Sequence, residues 1–169
     1  MFRKLILVGV IIMVCIGLFG ACSSGIWFKV GYAGEGGFGS KETDEGETFG
    51  VLTLVGSLQE MKDLCDEWNN PAYQEESELY SSEISKKIRE YDEAFFEEKA
   101  LIIRSSFDAS PGRSQRISSL NVEGTQLIVN VRYSSKKGTF NDIATTWLFL
   151  IEVKKADIVG VTAVQINEK

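Results

Sequence analysis

The sequence predicts an α+β fold in which two N-terminal helices pack on an antiparallel sheet of about five to six strands. Two observations carry this. Apolar residues recur at helical spacing over residues 57–70 and 82–97, and beyond Lys99 the period shortens to strand alternation broken by turn signals. Helices followed by hairpin-linked strands mark the α+β class rather than βαβ units. At 169 residues and 44% hydrophobic content the chain suffices for one core, and a single domain is expected over residues 49–169.

Residues 49–55 are short, apolar and β-branched, as a strand requires, and Ser57-Leu58-Gln59-Glu60 reads as a capping box opening a helix. Leu58, Met61, Cys65 and Trp68 then recur on one face, and Asn69-Asn70-Pro71 ends the run. Cys65 lies on the buried stripe, without the exposure and positive charge that a reactive thiol needs. A second helix is expected over 82–97, with Ile84, Ile88, Tyr91 and Phe95 on one face and Glu83 paired with Lys87. Residues 100–103 form a strand, and Asp108-Ala-Ser-Pro111-Gly112 forms a turn. Residues 117–122 and 125–133 make a hairpin about Glu123-Gly124, with Leu127, Val129, Val131 and Tyr133 on its buried face. Residues 145–153 are apolar on both faces and so predict the central strand, and 158–166 complete the sheet.

Ahead of this domain, Arg3 and Lys4 precede an apolar run over residues 5–19, the plan of a secretory leader. Its 15 residues would rise only about 22 Å as a helix, short of the roughly 30 Å of bilayer hydrocarbon. Leu18-Phe19-Gly20-Ala21-Cys22 resembles the lipobox of bacterial lipoproteins, which implies a lipoprotein signal peptide over 1–21 and a diacylglyceryl-modified Cys22 as the new N-terminus. Phe19 stands where that pattern prefers leucine. Two acyl chains on one residue give a stable membrane anchor. Residues 22–48, glycine-rich and acidic, are expected to form a flexible tether. Ile26-Trp27-Phe28-Lys29-Val30 reads either as a patch resting among lipid headgroups or as a short strand added to the domain. The acidic run over 42–47 lacks the ligand spacing of an EF-hand loop.

Composition narrows function further. The chain carries a formal charge of −6, and only Arg3 and Lys4 are charged in the leader, so the mature part is more acidic still and repels nucleic acid. Histidine is absent, which removes the commonest general base and metal ligand. With Cys15 in the leader and Cys22 acylated, Cys65 stands alone and closes no intramolecular disulfide. No metal and no cofactor are expected.

Tyr91-Asp92-Glu93-Ala94-Phe95-Phe96 running into Leu101-Ile102-Ile103, with Trp147-Leu148-Phe149-Leu150-Ile151-Glu152-Val153 near the end, resembles a group of exported bacterial lipoproteins related to the PrcB C-terminal-like (protease stability complex) domain. That resemblance implies a cell-surface protein such as a protease as partner. The family's Gly-Gly-Tyr segment is replaced here by Pro111-Gly112-Arg113-Ser114-Gln115-Arg116.

The reading for function is a non-enzymatic binding or interaction module of the cell envelope, anchored on the extracytoplasmic face of the membrane. Its candidate contacts are Arg113, Arg116 and Phe140, residues that equally suit ordinary solvated turns. Two alternatives are a purely structural lipoprotein and a hydrolase using the carboxylates of Asp92, Glu93 and Glu152. Ser134-Ser135-Lys136-Lys137 has S-x-x-K spacing but falls at a strand end, without the helical turn that joins serine to lysine.

Overall fold

The computed structural model describes residues 25–109, 113–135 and 144–168, apart from the side chain of Ser135. The leader over 1–21, Cys22, the Pro111-Gly112 turn and Phe140 lie outside the described residues. In chain order the elements are β1 (Phe28–Glu35), β2 (Lys41–Thr43), β3 (Gly46–Thr48), β4 (Val51–Val55), α1 (Leu58–Glu67), α2 (Glu83–Arg89), α3 (Glu93–Glu98), β5 (Lys99–Asp108), β6 (Arg113–Glu123), β7 (Gln126–Ser135), β8 (Thr145–Lys154) and β9 (Ala163–Glu168), with short 3-10 turns between some of them.

The expected fold class is overturned. Among the described residues 50% are strand against 26% helical, so this part is mostly β, and three helices and several sheets replace two helices on one sheet. One sheet runs β1-β8-β5-β4 with every pair antiparallel. The other runs β6-β7-β9, in which β9 lies parallel to β7, so the C-terminal strand does not complete a single antiparallel sheet. β2 and β3 form a separate hairpin.

Alternation explains the layering. On β5 and β8 the side chains of Ala100, Ile102, Phe149, Ile151 and Val153 meet Leu120, Leu127, Val129 and Val131 of the second sheet. Their opposite faces, with Leu101, Ile103, Leu148 and Leu150, pack under Met61, Cys65, Trp68, Ile88 and Phe96 of the helical layer. β5 and β8 are therefore covered on both sides, which is why they read as continuous apolar runs. Each such leucine or isoleucine contributes roughly 1.5–3 kcal/mol of transfer free energy.

The helices follow local chemistry. Ser57 Oγ accepts from the Glu60 amide at 3.1 Å, while the Glu60 carboxylate accepts from the Gly56 amide at 2.7 Å, one residue before the cap. The single helix expected over 82–97 is broken. Asp92 takes an extended conformation and accepts from the Phe95 amide at 2.9 Å, so it caps a new helix, α3. Lys87 pairs with Glu90 rather than Glu83.

The glycine-rich stretch assigned to a tether is also corrected, because residues 28–35 form β1 along the outer edge of β8. The pairing slips between Val30 and Tyr32, leaving Gly31 as the extra residue of a bulge. A Cβ at Gly31 would lie 2.2 Å from the Tyr91 hydroxyl and 2.9 Å from Glu152 Oε1. Glycine is thus the residue that lets this strand sit beneath Tyr91. Just before β1, the Ile26 amide donates to the Leu120 carbonyl at 2.9 Å, tying the incoming chain to β6.

Candidate functional site

The strand directions divide the sandwich into two ends. β1 begins, β8 finishes and the β6–β7 hairpin turns at the end where the chain enters. At the other end β5 leaves at Asp108, β6 enters at Arg113, β7 leaves at Ser135 and β8 enters at Thr145. The two connections that fall partly outside the described residues both belong to this loop end.

Buried polar groups brace the loop end. Arg104, 3% exposed, donates to Gln115 Oε1 at 2.6 Å and to the Tyr133 hydroxyl at 3.5 Å, and its guanidinium lies 3.5 Å from Glu168. Gln115 in turn donates to Asp108 at 3.2 Å, and Tyr133 donates to Glu168. Burial, then the hydrogen bond to Glu168, raise the Tyr133 phenol above its ordinary range, against the lowering effect of Arg104 and Arg113. The network ties β5 to β6, β7 and β9, fixing the strand ends from which the loops spring.

Beside these strand ends, on the helical side, lies a groove of about 470 Å³. Gly37, Phe38 and Gly39 after β1, Asn69 to Pro71 after α1, Ile84 of α2 and Thr146 of β8 line it. Asn70 builds the floor, its amide nitrogen donating to the Phe38 carbonyl and its side-chain oxygen accepting from the Ala72 amide at 2.9 Å. Gly39, at φ +151°, is required because a Cβ there would meet the Trp68 carbonyl oxygen at 2.1 Å. Among the described residues none that lines it is charged. Phe49, 45% exposed, and Leu79, 60% exposed, stand in the lining. Phe107, 62% exposed, faces Thr146 across the β5–β8 ladder and extends the same apolar surface.

The residues singled out from sequence do not converge here. The Arg113 guanidinium rests 3.5 Å from the centre of the Tyr133 ring. Arg116 is exposed opposite Arg132 on β7, and residues three apart on a strand point to opposite faces. Phe140 lies outside the described residues. Of the acids considered for hydrolysis, Asp92 is spent as a helix cap, and Glu152, 5% exposed, sits between Lys29 at 3.1 Å and Lys99 at 3.4 Å. Ser134 lies on a strand, hydrogen-bonded to Ser114. Among the described residues no group of three or more histidine, cysteine, aspartate or glutamate side chains is arranged to hold a metal. Cys65 is buried, and burial pushes its thiol up to about 12.

Phe49, Leu79 and Phe107 were not singled out from sequence. The one signal available was Phe107, an aromatic four residues past the last apolar pair of its strand, Ile102-Ile103, and just before a turn. Comparisons with protein-family models, curated proteins and solved structures return no match.

Proposed function

We propose that this chain is a lipid-anchored, extracytoplasmic binding module that holds an apolar segment of a neighbouring cell-envelope protein in the groove at its loop end. The observation that carries this reading is a groove with no charged side chain among its described lining residues, lined by the large, exposed Phe49 and Leu79 and continued through Thr146 to the exposed Phe107. Isolated exposed apolar residues are ordinary, but several along one concave surface mark a contact site. An uncharged lining favours an apolar peptide over an anionic polymer, and the braced strand ends hold the groove in shape before a partner arrives. The leader and Cys22 supply the address, and a surface protease is the partner that the family resemblance suggests. The carboxylate-hydrolase alternative has less support, because Asp92 and Glu152 are engaged in capping and ion pairing.

A photo-crosslinking residue introduced at position 79 in intact cells tests this. A discrete protein adduct is expected, lost on Phe107→Asp, with no adduct from the same probe at position 132 on the outer face of the second sheet. Adducts indifferent to Phe107→Asp would overturn the groove assignment. Turnover of cell-wall glycan by the purified chain, abolished by Glu152→Gln, would favour the hydrolase.

A further inference from the structure

We infer that the chain-entry end of the sandwich docks on the surface of the anchoring membrane, so that the groove faces away from it. The inference rests on lipidation of Cys22 and adds an orientation to it. The hydrogen bond from Ile26 to Leu120 fixes the chain to β6 four residues after Cys22. Four residues reach at most about 14 Å, whatever path they take. Without a long tether the entry end cannot leave the lipid surface by more than that distance.

The side chains on this end suit the headgroup zone. Trp27 is 56% exposed directly before β1, with Lys154 Nζ 5.9 Å from its ring. Val159, 83% exposed, follows the turn that leaves β8, and Val122, 36% exposed, closes β6 at the same end. An indole flanked by a lysine and aliphatic side chains is an interfacial set, apolar at its body and polar at its rim. The charges on this end nearly cancel: four lysines, Lys29, Lys99, Lys154 and Lys155, stand against three acids, Glu123, Glu152 and Asp157, with Glu152 shared between Lys29 and Lys99. Docking is therefore driven by Trp27 and the exposed valines, and anionic lipid is not required. β8 spans ten residues between the two ends, or roughly 33 Å, which sets the height of the groove above the bilayer.

The test uses the full lipidated chain in phosphatidylcholine vesicles, with and without phosphatidylglycerol, containing lipids brominated near the headgroup. Two double variants leave one tryptophan each at the ends: Trp68→Phe with Trp147→Phe keeps Trp27, and Trp27→Phe with Trp68→Phe keeps Trp147. Emission from Trp27 is expected to be quenched at least about twofold more than that from Trp147, equally in both lipid mixtures. The difference between the wild-type chain and Trp27→Ala gives the same readout without touching the buried Trp68. Flotation with the vesicles while Trp27 stays unquenched would overturn the orientation alone. Failure to float, with an intact mass lacking the diacylglyceryl group, would overturn the anchor and the orientation together.

Discussion

Replacing Gly31 with alanine places a methyl group where the Tyr91 hydroxyl already stands, at a separation of 2.2 Å. Ordinary contact requires the hydroxyl to retreat by more than 1 Å, roughly the shift that makes overpacking cost about 1–3 kcal/mol. Tyr91 has little room for this, being 3% exposed and packed edge-on against Phe95 with ring centroids 4.7 Å apart. The loss of glycine's unfolded-state freedom offsets roughly 0.4–1 kcal/mol. Gly31→Ala should therefore destabilise the fold by about 1–2 kcal/mol, read from urea unfolding by tryptophan fluorescence. The decisive partner is Tyr91→Phe. The Tyr91 hydroxyl is buried with no hydrogen-bond partner among the described residues, so its removal alone should be close to neutral. Without it the nearest Tyr91 atom to the new methyl is the ring carbon Cζ, at 3.4 Å. The double variant should recover about 1 kcal/mol relative to additivity. Additive effects, or a Gly31→Ala variant as stable as the parent, would refute the packing of β1 beneath Tyr91.

Arg104→Met should cost about 2 kcal/mol, visible in the urea midpoint, because it strands the buried Gln115 oxygen and removes the cation beside Glu168. Stability should fall at alkaline pH. Burial raises the Cys65 thiol from 9.0 and the Tyr73 phenol from 10.0, both to about 12, and raises Tyr91 also. These groups stay protonated in the fold while the unfolded chain ionises, so their stabilisation is complete below pH 9 and drains away between pH 9 and 12. Urea midpoints between pH 8 and 11 should decline, and Cys65→Ala should flatten the earliest part of that decline. For the same reason Cys65 in the native chain should resist a thiol reagent at pH 8 and react at the rate of unfolding.

Some of the architecture was legible because local chemistry decides it. The two apolar faces of residues 145–153 predict a central strand, and β8 does lie between β1 and β5. The Ser57 cap, the burial of Cys65 and the hairpin whose loop holds Gly124 and Thr125 follow from spacing alone. What was missed depends on contacts distant in the chain. β1 carries two glycines, Gly31 and Gly34, with Gly36 just past its end, and several of its side chains face solvent. Its first residues, 28–30, fall in the stretch that reads either as a headgroup patch or as a short added strand, and the rest reads as linker because an edge strand needs only its neighbour's hydrogen bonds. The break before α3 was masked by Tyr91, which continues the apolar face of the preceding helix although the chain has already left helical geometry. Nothing local distinguishes a C-terminal strand that adds antiparallel to one sheet from one that lies parallel to β7 in another. The groove draws on segments from residue 37 to residue 146, so no single stretch announces it.

Hydrogen exchange across residues 28–35 in the intact chain tests most directly whether the N-terminal segment is a structural strand. Amides of β1 that bond to β8 should exchange orders of magnitude more slowly than those of an unstructured peptide, and Gly31→Ala should weaken that protection ahead of the rest of the sheet. Exchange of the whole segment at the unstructured rate, with β8 and β5 still protected, would contradict the account and return this stretch to a tether.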